Sequence, residues 1–330
     1  MTHPISRRHL IASAGAAAIC TTANIAFAQA TGYPLKPIRV VVPWPAGGGG
    51  DVLVRAITPV LAARLGQPVI VDNRPGAIGT IGSQLVAHSA PDGYTLVYGT
   101  ADSHSIAPHI LKSMAYDSRK DFLAVAPIGF TPLTLIVHSS HPAKNFAQFL
   151  QIAKQSKIAP TYGSWGQGSS GQITMEALKQ KAKVDLLHVP YNGTAPLIQA
   201  QLSKQVDCAI IPVLVADQYV KSGDVRMLAV TARERLSAFS DVPLMKEMGV
   251  EIDMGPWLGF RAPAGTPTNI VEKLNAAITA SIGEPQVAEV MKRMTMVIDK
   301  MSVAEYQKFT NTEYDRWGTY IRTAGITLDQ

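Results

Sequence analysis

Short, continuous runs of apolar residues, many of them β-branched, recur along the chain and predict buried strands. The runs are Val40 to Val42, Val69 to Val71, Leu96 to Tyr98, Leu135 to Val137, Ala209 to Ile211 and Leu228 to Val230. A strand that is apolar on both faces is typical of a parallel sheet covered by helices on each side. The pattern therefore predicts mostly parallel sheets with both faces buried.

Between these runs the apolar positions change to the helical spacing of i, i+3 and i+4. The clearest stripes are Leu53, Ile57, Val60 and Leu61, and then Phe146, Phe149, Leu150 and Ala153. Each stripe predicts an amphipathic helix that packs one face onto a sheet. Alternation of buried strands with such helices indicates the α/β fold class.

The first 28 residues have the pattern of a cleaved export signal. Arg7 and Arg8 precede a stretch of small and apolar residues from Ile11 to Ile25, and Ala26-Phe27-Ala28 ends it as an A-x-A cleavage site. The paired arginines favour a signal of the twin-arginine type over Sec export. We therefore predict a periplasmic protein that is cleaved near Ala28.

Composition narrows the class of protein further. The chain has 330 residues, of which 47% are hydrophobic and 16% charged, and this length favours two globular domains. Its net charge of +6 comes from dispersed basic residues, whereas a nucleic-acid-binding face needs them clustered. No apolar run after the signal approaches the ~18 residues of a membrane span. We expect a soluble mature protein without a nucleic-acid partner.

The two cysteines predict no disulfide. Cys20 lies in the export signal, and Ile19 before it replaces the small residue that a lipid-anchored cysteine requires. Cys208 adjoins the apolar run Ala209 to Ile211 and lacks cationic neighbours, so we interpret it as a buried core thiol.

Loops rich in glycine follow several of the predicted strands. They are Pro43 to Asp51, Asp72 to Gly79, Gly99 to His104, and Gly163 to Gly171. Ligands of open parallel sheets lie beyond the carboxyl ends of the strands, where helix N-termini present free N–H groups to anions. These loops therefore predict a cleft for a small anion. Within the first loop we expect Asp51 to be the N-cap of the next helix rather than a ligand contact.

The fourth loop contains Gly166, Gly168 and Gly171, which formally match G-x-G-x-x-G. The next acid, Asp185, follows too soon for a dinucleotide fingerprint, and an exported protein is poorly placed to use NAD. The hydroxyl groups of this loop suit a carboxylate better, as neutral donors at a helix N-terminus. We expect no cofactor.

Catalytic patterns are weak. The chain has no G-x-S-x-G elbow, and His138 and His141 lack a third ligand at zinc-site spacing. His104, in the third loop, is interpreted either as a donor to an anion in the cleft or as an ordinary polar loop residue. The sequence therefore predicts no catalytic residues, no metal site and no enzyme activity.

Nearly the whole chain after the export signal resembles the periplasmic receptors of the tripartite tricarboxylate transporter family, also called Bug receptors. The matching segments are Tyr33 to Arg39, Pro43 to Asp51, Val71 to Ala77, Ala90 to Leu96, Tyr162 to Ser164, His188 to Gly193, Val225 to Thr231, Asp241 to Pro243, and Ala262 to Pro267. The resemblance implies a two-lobed Venus flytrap, with a twisted, mostly parallel sheet in each lobe and two crossing strands as hinge. It places the crossings near Phe130 to Val137 and Trp257 to Pro263. The expected lobes are residues 29–130 with 258–330, and residues 131–257.

The resemblance also implies how a ligand is held, by backbone N–H groups, hydroxyls and ordered waters without an arginine clamp. The implied residues of the first lobe are Ala46, Gly47, Gly48, Ile78 and Gly79. Those of the second are Ser164, Gly168, Ser169 and Ser170, with Tyr191 and Asn192 nearby. To these we add Trp44, Trp165, and the third-loop residues Thr100, Ser103 and His104.

Some positions depart from the pattern of the family. Gly50 stands where the family usually has Thr or Ser, Pro212 where it often has Asp, and Arg261 where it often has an apolar residue. Trp44 stands where Phe is common, and Trp165 where a small residue is common. Aromatic faces stack on rings, so the two tryptophans favour a flat or partly apolar carboxylate. In the alternative interpretation, which is equally supported, the two tryptophan side chains only shape the interface between the lobes.

The function implied is a monomeric periplasmic receptor that captures a small organic carboxylate, either a dicarboxylate or an aromatic acid. It would deliver this ligand to the membrane permease subunits of a tripartite tricarboxylate transporter. Two alternatives remain open from the sequence. One is an exported hydrolase or isomerase that uses His104 with Ser103 or Ser169, and the other is a chemosensory receptor without a transport role.

Overall fold

The alternating strands and helices are present in the computed structural model, which describes residues 32–232, 234–250, 255–298 and 300–326. The predicted export signal lies outside these residues. From Lys36 onward the described chain forms one compact unit. None of the helices described in it is both long enough and apolar enough to cross a bilayer.

Two mixed sheets organise this unit. The first contains β1 (Ile38–Val42), β2 (Val69–Asn73), β3 (Thr95–Thr100), β4 (Phe122–Phe130) and β10 (Trp257–Pro263), in the order β2-β1-β3-β10-β4. Only β10 runs antiparallel to its neighbours. The mostly parallel sheet predicted for this part of the chain is confirmed.

The second sheet has the same design. It contains β5 (Leu133–His138), β6 (Thr161–Ser164), β7 (Leu187–Pro190), β8 (Cys208–Pro212) and β9 (Val225–Val230), in the order β7-β6-β8-β5-β9. Here β5 is the antiparallel strand, paired with β8 and β9. All the apolar runs identified in the sequence lie within strands of the two sheets.

Helices flank both sheets. They are α1 (Gly49–Leu65), α2 (Thr80–Ala87), α3 (Ala107–Ile110), α4 (Phe146–Gln155), α5 (Ser170–Ala182), α6 (Thr194–Leu202), α7 (Val213–Lys221), α8 (Thr268–Ile282), α9 (Pro285–Arg293) and α10 (Val303–Ala324). Short 3₁₀ turns cover Ala77–Gly79, Ser237–Phe239 and Met245–Met248, and a π-helical turn covers Asp102–Ile106.

The predicted helical stripes are the faces that these helices bury. Leu53, Ile57 and Leu61 of α1 are fully buried, as is Phe146 of α4. Burial of each such side chain contributes roughly 1.5–3 kcal/mol relative to exposure. The helices are therefore held mainly by packing against the sheets.

Helix α10 packs closely on the first sheet because β10 contains Gly259. A Cβ atom at Gly259 would lie 1.9 Å from the Tyr306 hydroxyl oxygen. The same helix also contacts α5, which flanks the second sheet. The Gln180 side chain of α5 donates to the Thr323 carbonyl of α10 at 2.6 Å. One large apolar cluster accordingly includes Trp257 and Tyr162, from strands of different sheets.

The chain passes between the sheets where β4 ends and β5 begins. Phe130 is the last residue of β4, in the first sheet, and Leu133 is the first of β5, in the second. After β9 the chain returns, and β10 pairs along its length with β3 and β4. The expected lobe boundaries stay a prediction.

Candidate functional site

Asp51 closes the first glycine-rich loop, but it is not the helix N-cap that the sequence predicts. Gly48, with φ −72° and ψ 164°, is the N-cap of α1, and the helix begins at Gly49. The prediction that Asp51 is the N-cap is therefore wrong, because the extended backbone at Gly48 starts the helix earlier. Asp51 lies in the first helical turn, and its carboxylate reaches back to accept the Gly47 N–H at 2.9 Å.

Asp51 is also held from the helix and from β2. It accepts hydrogen bonds from Arg55 Nε at 2.9 Å and from Asn73 Nδ2 at 3.0 Å. Asn73 donates in addition to the Trp44 carbonyl at 3.1 Å. The Arg55 hydrogen bond is the main cause that lowers the pKa of Asp51 to about 2. The carboxylate is thus charged at neutral pH and joins the first loop to the end of β2.

Three of the predicted loops meet at Gly79. Its φ of +82° favours glycine, and a Cβ atom there would lie 3.2 Å from Ser103 Cβ and 3.4 Å from Trp44 Cζ2. Next to it, Ile78 has a left-handed φ of +56° and packs its side chain on the central apolar cluster. The structure therefore brings Trp44, Ile78, Gly79 and Ser103 together, and their contact with a ligand stays a prediction. Of the remaining first-loop residues, Ala46 and Gly47 are exposed and Gly48 is half-buried.

The third loop is a π-helical turn with buried polar side chains. Thr100 Oγ1 and Ser103 Oγ are 3.2 Å apart, and Ser103 Oγ is 2.9 Å from His104 Nδ1. His104 is 1% exposed and meets the Phe122 ring edge-on at 4.8 Å. Burial, with the nearby charge of Arg261, lowers the pKa of His104 well below its usual value. The imidazole is therefore neutral inside the protein. Its contact with a ligand stays a prediction.

The fourth loop faces this turn from the second sheet. Ser169 is the N-cap of α5, since its Oγ accepts the Gln172 N–H at 3.3 Å. Its hydroxyl donates to the Gly166 carbonyl at 2.6 Å, and the Gly168 N–H donates to Gln172 Oε1 at 2.6 Å. The Trp165 ring covers the start of the helix, because a Cβ atom at Gly171 would lie 2.5 Å from it.

Tyr191 and Asn192 follow β7, beside the fourth loop. The Tyr191 N–H donates to the Ser164 carbonyl at 3.0 Å. The Tyr191 side chain is half-buried and Asn192 is exposed. The structure thus places both near Ser164, whereas neither has a hydrogen bond to the loops of the first sheet among those described.

Two residues of the site were not selected from the sequence. Asp102, at the start of the π-helical turn, accepts the Ser170 N–H at 3.1 Å and so connects the third loop to α5. His188 of β7 has its Nε2 2.7 Å from Ser164 Oγ and stacks on the Tyr162 ring at 4.8 Å. Asp102 lies two residues after the buried strand β3, in a loop predicted to line the cleft, and this position is the signal that would have identified it.

The arrangement offers little for covalent catalysis. Ser103 with His104, and Ser164 with His188, form serine–histidine pairs, but His104 Nε2 is buried and has no hydrogen-bond partner in the part of the chain that the structure describes. Within the described residues no cluster of three His, Cys, Asp or Glu side chains could hold a metal ion. A cavity of about 560 Å³ lies away from these loops, beside the passage from β4 to β5. Its lining includes Phe130, Pro132, Thr231, Arg235, Lys292 and Val297 and none of the predicted ligand residues.

The chain is similar to known proteins along most of its length. The profile of a family described as "Tripartite tricarboxylate transporter family receptor" matches residues 53–326. A UPF0065 protein of Bordetella pertussis is 33% identical over 301 residues, which are 91% of this chain and 93% of that protein.

Solved structures agree in fold with this chain. A protein of R. palustris solved with adipate superposes with a TM-score of 0.80 at 31% identity, over 89% of this chain and 99% of its own. MatC from Rhodopseudomonas palustris, with bound malate, gives a TM-score of 0.76 at 31% identity, over 88% of this chain and all of its own. The predicted two-lobed α/β fold and the resemblance drawn from the sequence are both confirmed.

Proposed function

The chain belongs to the tripartite tricarboxylate transporter receptor family, and from this membership we propose that it captures a small organic carboxylate between its two sheets. The observation that carries the proposal is the meeting of loops at Gly79, opposite the start of α5. The structures solved with adipate and malate support the carboxylate class.

The first-sheet loops have backbone N–H groups that could donate hydrogen bonds to an anion. Within the described residues, the backbone N–H groups of Ala46 and Ile78 have no hydrogen-bond partner. Ile78 adjoins Gly79, and Ala46 lies in the same loop as Trp44, which contacts Gly79. Neutral N–H donors at such loops bind anions. We assign the ligand carboxylate to these two groups, with Gly47, Gly48 and Gly79 letting it approach the backbone.

Closure of the two lobes would trap the ligand. The proposed lobes are residues 29–130 with 258–330, and residues 131–257, and the passage at Thr131 and Pro132 is one of the hinge segments. A ligand that contacts both lobes stabilises the closed state by its higher affinity for that state. Thr100, Ser103 and His104 would then contact it through the first lobe, and Ser164, Gly168, Ser169, Ser170, Tyr191 and Asn192 through the second.

Trp44 and Trp165 bear on the shape of the ligand. Both are half-buried, one against Gly79 and the other over Gly171 at the start of α5. Their ring faces would favour a flat or partly apolar acid. Binding of a benzoate-class monocarboxylate and of an aliphatic dicarboxylate of equal size tests this, and exclusive binding of the dicarboxylate contradicts it.

The receptor would act in the periplasm and pass its ligand, chemically unchanged, to membrane permease subunits. The export signal predicted over residues 1–28 supports this location, as does the periplasmic role of the family. No catalytic step is required of a monomeric receptor, and recovery of intact ligand after binding would separate it from a hydrolase or isomerase.

Thermal unfolding of residues 29–330 tests the proposal directly. The panel contains mono-, di- and tricarboxylates, aromatic acids and acidic amino acids, since a ligand raises the unfolding midpoint by mass action. A rise with one carboxylate class supports the proposal. If no acid raises the midpoint, and mass spectrometry of the denatured protein finds no co-purified acid, the carboxylate proposal is wrong.

A further inference from the structure

A carboxylate of the protein itself already occupies the N-terminus of α5. Asp102 follows β3 in the first sheet, and its Oδ1 accepts the N–H of Ser170, the first residue of α5, at 3.1 Å. The two residues are 68 positions apart and extend from different sheets. This bond therefore fills, from across the cleft, the place that a second ligand carboxylate would take.

Three other donors at this helix end also have partners, while the Gly171 N–H has none among the described residues. The Gly168 N–H donates to Gln172 Oε1, the Ser169 N–H to the Gly166 carbonyl at 3.2 Å, and the Gln172 N–H to Ser169 Oγ. An incoming anion would have to displace these bonds. In the first-sheet loops, the N–H groups of Ala46 and Ile78 have no partner within the described residues.

The charge of Asp102 is poorly compensated. The residue is 9% exposed, and no lysine, arginine or histidine within the described ranges forms an ion pair with it. Its electrostatic neighbour is the buried hydroxyl of Tyr98, which is neutral. A buried charge is weakly screened, so the ionised form of Asp102 repels a second anion placed beside it.

A neutral or positively charged group would meet better partners there. Asp102 has acceptor capacity beyond the single Ser170 N–H, because an ionised carboxylate accepts several hydrogen bonds. The Ser170 hydroxyl beside it is fully buried; it lies near enough to Asp102 to lower the pKa of that carboxyl, and it has no other hydrogen-bond partner among the described residues. A hydroxyl or ammonium group of a ligand would use both.

We propose that Asp102 determines specificity by excluding a second carboxylate from the α5 end of the cleft. The preferred ligand then has one carboxylate, held by the first-sheet loops, and a hydroxyl or ammonium group that faces Asp102. This inference rests on the proposed receptor function and selects a ligand class within it. It separates this chain from receptors of dicarboxylates such as adipate.

Calorimetric titration with three six-carbon acids tests the inference: adipate, 6-hydroxyhexanoate and 6-aminohexanoate. The proteins are residues 29–330 with the natural sequence, the isosteric variant Asp102→Asn, and Asp315→Asn. Asp315 is exposed and pairs with Arg119 at 3.5 Å, so its substitution makes the same charge change away from the cleft. Burial raises the pKa of Asp102, so the titrations are made at pH 8, where its ionised form is more populated than at pH 7.

We expect the natural protein and Asp315→Asn to bind 6-hydroxyhexanoate or 6-aminohexanoate at least about tenfold more tightly than adipate. Asp102→Asn should reduce or reverse that preference by about tenfold, because the repulsion is gone. The preference of the natural protein is measured without any variant, so a failure of Asp102→Asn to fold does not remove the test.

Two outcomes count against the inference and are distinguishable. If adipate binds most tightly to the natural protein and Asp102→Asn leaves its affinity unchanged, the role of Asp102 is wrong while the receptor function stands. If none of the acids, nor any acid of the wider panel, binds the natural protein, the receptor proposal itself fails and this inference with it.

Discussion

The carboxylate of Asp51 accepts the backbone N–H of Gly47 at 2.9 Å and thereby closes the first glycine-rich loop onto the first turn of α1. The residue is 3% exposed, and Asn73 ties the same carboxylate to the end of β2. The loop proposed to hold the ligand carboxylate is therefore shaped by one buried acid.

This acid makes part of the stability dependent on pH. The pKa of Asp51 is about 2 in the folded protein and 3.8 without its partners, so the unfolded chain binds its proton first as pH falls. The contribution of Asp51 is complete above pH 3.8 and is lost as pH falls through about 2.

We expect Asp51→Asn to be less stable than the natural protein by about 1–2 kcal/mol at pH 7, and by progressively less toward pH 2. Urea unfolding as a function of pH measures this difference, with Glu289→Gln as an exposed control. An unfolding free-energy difference that does not shrink toward pH 2 would contradict the assignment.

Gly79 should be sensitive to a methyl group for two reasons. Alanine at its φ of +82° costs about 1 kcal/mol or more in backbone strain, and the added Cβ atom would crowd Ser103 and Trp44. Gly66 provides a matched control, since its φ is +71° and a Cβ atom there meets nothing within 4 Å.

Gly66→Ala should therefore lower the unfolding midpoint modestly and keep the ligand-induced rise. Gly79→Ala should be less stable than Gly66→Ala and should lose most of that rise. Differential scanning fluorimetry with and without the carboxylate that binds best measures both effects, and equal ligand responses would show that Gly79 lies outside the site.

Arg261 is a buried cation that forms no ion pair with the described residues. It is 2% exposed, and its Nε and Nη2 atoms have no hydrogen-bond partner among the described residues. Burial lowers the pKa of Arg261 to about 10, so the guanidinium remains charged at pH 7. Phe122 lies 5.5 Å from it, which offsets only part of the lost hydration.

We expect Arg261→Met to raise the free energy of unfolding by more than about 1 kcal/mol, because methionine fills the space without a buried charge. Arg226→Met should have the opposite effect, since Arg226 donates to the Ala143 and Ser139 carbonyls at 3.0 and 3.2 Å. Chemical denaturation compares the two, and a destabilised Arg261→Met would indicate that the guanidinium has partners supplied by solvent.

The thiol of Cys208 should be unreactive in the folded protein. It is fully buried in β8, and burial raises its pKa, so almost no thiolate is present at neutral pH. A disulfide reagent should label residues 29–330 slowly under native conditions and quickly in denaturant. Rapid native labelling would show that β8 opens locally.

Six of the ten described strands and the α1 and α4 helices were predictable because their signals are local. Runs such as Val40 to Val42 are apolar on both faces, and the spacing of Leu53, Ile57 and Leu61 repeats with the helical period. The glycine-rich loops after those strands were also predictable, since parallel strands deliver their carboxyl ends to the same edge.

The functions of single polar residues were harder to predict. Asp51 has the residue type of an N-cap, but the backbone angles of Gly48 decided where the helix begins. His104 has a sequence neighbourhood typical of a loop, whereas Phe122, Tyr116 and Trp257 enclose it in the structure. Each case depends on backbone geometry or on packing by residues distant in sequence.

By itself the sequence determined the α/β class, six of the strands, the α1 and α4 helices, and the family, because these depend on local periodicity and on motifs along the chain. Only the tertiary structure decided that β10 joins the first sheet between β3 and β4, and that Asp102 meets Ser170. Those contacts join segments far apart in sequence, and their energies depend on burial and distance in space, which no local pattern records.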